Sequence, residues 1–294
     1  MIRKWLQPIS RERRNEVLDE LSQASSPGFD YFLLVMLSCS IATFGLITDS
    51  PAVIIGAMLV APLMSPILGL SLASVLAEER LFERAVLALI EGILLALALS
   101  ALWGWLARLL PFDLLVTLPS EVLARTHPTP FDLGIALAGG AAASYALAQP
   151  RLSAALPGVA IATALMPPLC TVGIGIATGR WEAALGAALL FVTNLAAISF
   201  AGILVFVALG FRPRRREQRW HRLPFSLMVS AVLVLVVTVP LVLLTLRLVE
   251  QSRFTRQVHD TVAAGVAALP EAQLLEVQVE QADRVLRLSV TILT

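Results

Sequence analysis

Along the chain, long apolar runs alternate with short charged ones. Residues 1–28 are polar and Arg-rich. Apolar runs follow at about Phe29–Ile47, Pro51–Ala77, Leu81–Leu110, Phe131–Ala148, Ala154–Thr178, Trp181–Phe211 and Leu223–Leu248. Each exceeds the roughly 17 residues that cross a hydrocarbon core. The pattern predicts an all-α integral membrane protein with seven transmembrane helices. Pro62 and Pro66 fall inside the second run, Pro167 and Pro168 inside the fifth. Proline lacks an amide hydrogen and clashes with the preceding turn, so two of the spans are expected to be proline-broken.

Both ends of the chain read differently. In the 1–28 segment, Ser10–Gln23 places Val17, Leu18 and Leu21 on one helical face, predicting a short amphipathic helix on the cytoplasmic membrane surface, with a frayed, solvated helix as the alternative. In the tail, 250–294, Phe254–Leu269 reads as a helix ended by Pro270. Leu274–Glu280 and Val285–Leu293 then alternate apolar and polar residues around the turn-like Gln281-Ala282-Asp283. A small soluble C-terminal α-β-β unit is expected, too small to stand alone and therefore packed on the membrane domain or on a neighbour in a homo-oligomer.

Composition narrows the class further. Hydrophobic residues make up 57% of the chain and charged ones 15%, against about 25% charged in soluble domains. The net charge of +1 says little as a total, but its distribution sets a topology. Arg3, Lys4, Arg11, Arg13, Arg14, Arg80, Arg84, Arg151 and the run FRPRRREQRWHR (Phe211–Arg222) all fall on one side of the predicted spans. The positive-inside rule puts that side, and the N-terminus, in the cytoplasm. Seven crossings then leave the tail outside, unless one span is re-entrant. The basic run reads as a topology signal and an anionic-lipid contact, not as a nucleic-acid site.

Cofactor chemistry is not expected. Cys39 and Cys170 lie in separate apolar runs and read as buried small hydrophobes. His127, His221 and His259 have no ligand-like spacing, so no metal site is predicted. The chain has no phosphate-binding glycine loop, nucleophile elbow or His/Cys/Asp cluster, which argues against an enzyme.

Sliding the chain on itself by 102 residues aligns two segments without a gap. Phe29-Asp30 falls on Phe131-Asp132, Ala52 on Ala154, Gly56 on Gly158, Leu63-Met64 on Leu165-Met166, and Pro66 on Pro168. The shared pattern is Gly-x6-Leu-Met-x-Pro. It divides the chain into a first three-span repeat (29–110), a second (131–211), a seventh span (223–249) and the tail. An odd number of spans per copy makes the copies inverted three-helix repeats, a plan in which discontinuous helices meet near the midplane and bind solute or ions.

Candidate site residues follow from that plan. Gly56, Pro62, Met64, Ser65 and Pro66 are expected to line the site from the first copy, and Gly158, Thr163, Met166, Pro167 and Pro168 from the second. Glycines 56, 69, 158, 173 and 175 would allow close approach of backbone or ligand. Glu91 lies near mid-depth of the third span, where a carboxylate is costly and is a functional hypothesis by default, so it is the candidate for proton coupling. Asn194 occupies a comparable place in the sixth span. Thr171 offers a further hydroxyl. Asp30, Asp49 and Asp132 read as helix caps, and Gly139–Ser144 as a small-residue contact face. The ordinary alternative is that the prolines are kinks and the polar residues bridge helices.

With these residues in view, the chain resembles the bacterial and archaeal membrane family known as domain of unknown function 389. The resemblance rests on VIIGAMLVAPLMSPILGLSLA (Val53–Ala73), GVAIATALMPPLCTVGIGIA (Gly158–Ala177) and TNLAAI (Thr193–Ile198), and covers roughly residues 30–210. It implies a multi-pass protein of the inner membrane without an established activity. The function expected is transport of a small solute or ion between the broken helices, with an oligomeric channel or a non-transporting scaffold or sensor as rivals.

Overall fold

Prolines, glycines and charge stops set the helix boundaries in the computed structural model, which describes residues 9–109, 115, 117–149, 152 and 165–212, and the strand backbone of 273–282 and 285–293. The elements are α1 (Arg11–Ala24), α2 (Phe29–Ile47), α3 (Pro51–Val60), α4 (Met64–Leu76), α5 (Glu79–Leu109), α6 (Ser120–Leu123), α7 (Pro130–Ala148), α8 (Met166–Thr178) and α9 (Trp181–Ala208), then β1 (Gln273–Ala282) and β2 (Val285–Leu293). Among the described residues, α2, α5, α7 and α9 are long and apolar enough to cross a membrane, and α3 with α4 would make a fifth span. They carry many exposed apolar side chains, including Leu94, Ile135, Leu185 and Leu204. Such a surface is at home against acyl chains and costly in water. The predicted seventh span, the tail helix Phe254–Leu269, the first half of the fifth span and the basic run beyond Arg212 lie outside the described residues.

The second span is not one rod. Pro62 disfavours helical dihedrals in the residue before it, and Ala61 is extended (φ −62°, ψ 121°). The ladder of α3 closes with the bond from Ala61 N to Ala57 O. After Pro62 and Leu63 the chain restarts as α4 at an angle of 48°. The other prolines act differently from the expectation. Pro66 lies in the first turn of α4, and Pro167 and Pro168 in that of α8. There the fixed φ suits the helix and the missing N–H costs no ladder bond. Only Pro62 among these four breaks a helix; the other three begin one.

Several boundaries recur at the 102-residue offset. Met64 and Met166 start helices of 13 residues each, and Glu79 and Trp181 start the long helices that follow. Between them the chain turns through Ala77 (φ 54°) and Gly179 (φ 72°), both left-handed. The turns close with matching bonds, Glu78 N to Ala73 O and Arg180 N to Gly175 O. Left-handed backbone disfavours any side chain, and only the second turn uses glycine. Ala77→Gly should therefore raise stability by about 1 kcal/mol, read as a higher unfolding temperature in detergent.

Tertiary contacts gather the loops at two ends. At one end, Arg13 of α1 donates to the last carbonyls of α7, Leu147 O (2.8 Å) and Ala148 O (3.5 Å). Arg14 lies over the Phe211 ring, and Arg84 at the start of α5 donates to Ser22. At the other end, Arg108 donates to Ala177 O, and Asp49 accepts from Ser120 Oγ and Glu121 N, each at 2.7 Å. The expected caps are refined here. Asp132 closes a capping box with Thr129, whereas Asp49 caps the distant α6 and not its own α3. The helix α1 is docked on the bundle: Val17 and Leu21 are buried and it packs on α4 and α7.

The bonds from Glu121 N and then Ser120 Oγ hold the Asp49 carboxyl below its usual pKa. A group depressed in the fold stabilises above its unfolded pKa and loses that contribution as pH falls through its folded value. The α6 attachment should hold at neutral pH and loosen only in acid, below the ordinary aspartate range. Asp49→Asn should loosen it at neutral pH. Proteolysis of the 117–126 segment would check both.

The two described strands belong to a unit separate from that of the helices. Within it β1 and β2 pair antiparallel, from Gln273 with Leu293 to Ala282 with Val285, with an irregularity between Leu274 and Glu276. The period-two pattern marked these strands.

Candidate functional site

Four helix crossings fix relative heights inside the bundle. In antiparallel α4 and α5, a Cβ placed on Gly69 would lie 3.6 Å from Ala85 Cβ, and one on Gly92 would lie 3.4 Å from Leu63 Cδ2. In parallel α8 and α5, Gly173 faces Ser100 and Ala101, and Gly104 faces Ile174 and Ala177. In antiparallel α8 and α9, Gly175 faces Ala184. In parallel α4 and α9, Ser71 faces Gly202 and donates to Ser199 O at 3.2 Å. Counting back along each helix at about 1.5 Å per residue, all four registers converge. Met64 and Met166 start α4 and α8 within about one turn of a common height. Glu91 and Gly92 of α5 and Thr193 and Asn194 of α9 share that height. Because α4 runs against α5 and α8 runs with it, the two short helices leave this level in opposite directions, and their N-termini converge on it.

The first amides of a helix have no acceptor within it, and the helix dipole makes that end partially positive. Leu63 and Leu165, at the cap positions, supply no side-chain cap bond. Pro66, Pro167 and Pro168 carry no N–H, so the donors left in the first turns are Met64, Ser65 and Met166. Glu91 is half-buried at the same height, and Asn194 is buried at 5% exposure. A carboxylate, an amide and several backbone donors therefore share one level of an otherwise apolar bundle. That set can hold a small polar or charged group away from lipid.

The other predicted residues fall as follows. Pro62, Met64 and Ser65 are half-buried at the break; Pro66, Met166, Pro167 and Pro168 are buried. Gly158 and Thr163 lie outside the described residues. Gly56 does not serve close approach: a Cβ there would meet nothing within 4 Å. The Thr171 hydroxyl donates to Pro167 O at 3.0 Å, a bond within its own helix. Sequence reasoning missed Ser25, buried at the end of α1, which donates to Ser65 O at 3.1 Å and so ties α1 to the first turn of α4. It also missed Tyr31, whose hydroxyl donates to Ala88 O at 2.7 Å and lies against Gly92. Gly69 and Gly92, which make room for these side chains, were the available signals.

The family profile described as a domain of unknown function, DUF389, matches residues 58–200, a stretch that holds the break, the start of α8, Glu91 and Asn194. An uncharacterised protein of the archaeon Methanocaldococcus jannaschii is 31% identical over 202 residues, covering 69% of this chain and 61% of the relative's length. The chain thus spans less than two thirds of that relative. No solved structure matches. Residues 58–200, with their paired helix starts at mid-bundle, are the part of this chain that matches the DUF389 family.

Proposed function

We propose that this protein carries a small solute or ion across a membrane, binding it where the starts of α4 and α8 converge. The supporting observation is the shared height of those two N-termini, Glu91 and Asn194. The inverted-repeat reading draws support from the contacts themselves. Ser71 of α4 meets Gly202 of α9, while Gly173 of α8 meets Ser100 of α5. The 102-residue offset turns each pair into the other. Such an exchange is what a pseudo-twofold axis through the binding level would produce. A transporter of this plan works by rocking one copy against the other, so the small residues at these two crossings serve as sliding contacts. Positive-inside counting orients the α1 end toward the cytoplasm.

Reconstitution into liposomes tests the reading. Uptake from a panel of small anions, cations and neutral solutes should be protein-dependent and saturable for one of them, and Asn194→Leu should lower it at unchanged protein incorporation. Flux that rises linearly with concentration would favour a channel. Absence of flux for every solute under every gradient would leave a scaffold.

A further inference from the structure

The chain has two cysteines, and the fold brings both to one point. Cys39, midway along α2, and Cys170, one turn into α8, are free and fully buried. Their Sγ atoms lie 3.6 Å apart, with the Cys170 thiol directed at the Cys39 sulfur. Cys39 Sγ in turn donates to Ala96 O at 3.3 Å. The two residues come from opposite halves of the sequence. Simple packing would need only two small apolar side chains here, whereas sulfurs in contact can be joined covalently.

We propose that Cys39 and Cys170 form a dithiol–disulfide couple that staples α2 to α8, oxidised by a small uncharged peroxide able to enter an apolar interior. One sulfur attacks a peroxide oxygen, giving a sulfenic acid and releasing one water when hydrogen peroxide is the oxidant. The second sulfur displaces that hydroxyl as a second water and closes the S–S bond. Two thiols thus lose two protons and two electrons, and one peroxide becomes two waters. The sulfurs must close from 3.6 Å to about 2.05 Å. Burial keeps bulky anionic thiols such as glutathione away, so the bond persists once made. Its consequence for activity rests on the transport reading: α8 begins at the binding level, and tying it to α2 fixes one copy against the other.

The test uses the full-length protein in detergent, reduced, desalted and treated with hydrogen peroxide, then denatured and alkylated with N-ethylmaleimide. A monomer lighter by two hydrogen atoms, with both alkylation sites lost and restored by dithiothreitol, is the expected result. Cys39→Ser and Cys170→Ser should each abolish the mass loss. Survival of both thiols, addition of oxygen atoms without cross-linking, or disulfide-linked dimers would overturn the proposal. Flux in proteoliposomes is read separately. A cross-link that forms and stops saturable uptake, reversibly by dithiothreitol and in wild type alone, supports the locking role. A cross-link that leaves uptake intact removes that role, and a cross-link in a protein without flux counts against transport while the couple stands.

Discussion

Gly140→Ala is expected to destabilise the bundle by about 1–3 kcal/mol, and Gly140→Leu to prevent accumulation of folded protein. Gly140 lies where α7 crosses α9, and a Cβ there would sit 2.7 Å from Ile198 Cα and 3.0 Å from Ile198 O. Both are backbone atoms of a packed helix, so relief requires the helices to separate along their length. In lipid, close packing of small faces is itself a main source of helix association, so separation gives up dispersion contacts without a hydrophobic gain elsewhere. Alanine's better helix propensity returns only about 1 kcal/mol. Gly56→Ala supplies the control. A Cβ at Gly56 meets nothing within 4 Å, so the propensity gain should appear unopposed. Unfolding temperatures in one detergent should fall for Gly140→Ala and hold or rise for Gly56→Ala. The reverse order would mean that the α7–α9 crossing is looser than its geometry implies.

If the protein transports as proposed, Glu91→Gln is expected to abolish the response of uptake to a pH gradient, since an intramembrane carboxylate is by default a functional site, while solute exchange without a gradient continues. Glutamine keeps the size and hydrogen-bonding reach of glutamate but cannot take up and release a proton. Glu91 shares a height with the starts of α4 and α8 and adjoins Gly92, against which Tyr31 and Leu63 pack. A proton on this side chain would therefore change the charge met by a solute at the binding level. If Glu91 only braces the bundle, Glu91→Gln and the wild type will respond alike to a pH gradient. If exchange and gradient-driven flux fall together, Glu91 belongs to solute binding and not to coupling.

These expectations draw on the sequence and the fold to different degrees. Positions and lengths of the apolar helices were legible because burying a backbone in lipid leaves only closed hydrogen-bonded forms, and the apolar pattern marks them. The first span, Phe29–Ile47, was located to the residue. The paired Leu-Met-x-Pro segments were legible too, since the identities survive at a fixed offset. Their mechanics were not. A proline in the first turn and a proline in mid-helix are the same letter, and only the dihedrals at Ala61 and the helix starts at Met64 and Met166 separate Pro62 from Pro66, Pro167 and Pro168.

The sequence by itself determined the apolar helices, the doubled motif and the strand hairpin, because each depends on local chemistry or on period. Tertiary structure alone decided that α1 docks on α4 and α7, that Asp49 caps α6, that Ser25 reaches Ser65, and that Cys39 meets Cys170. It also decided that two helix starts 102 residues apart share one height. Such pairings depend on which ridge of one helix enters which groove of another, and small residues permit many such fits. The choice among them is made by the whole bundle at once, so no single segment records it.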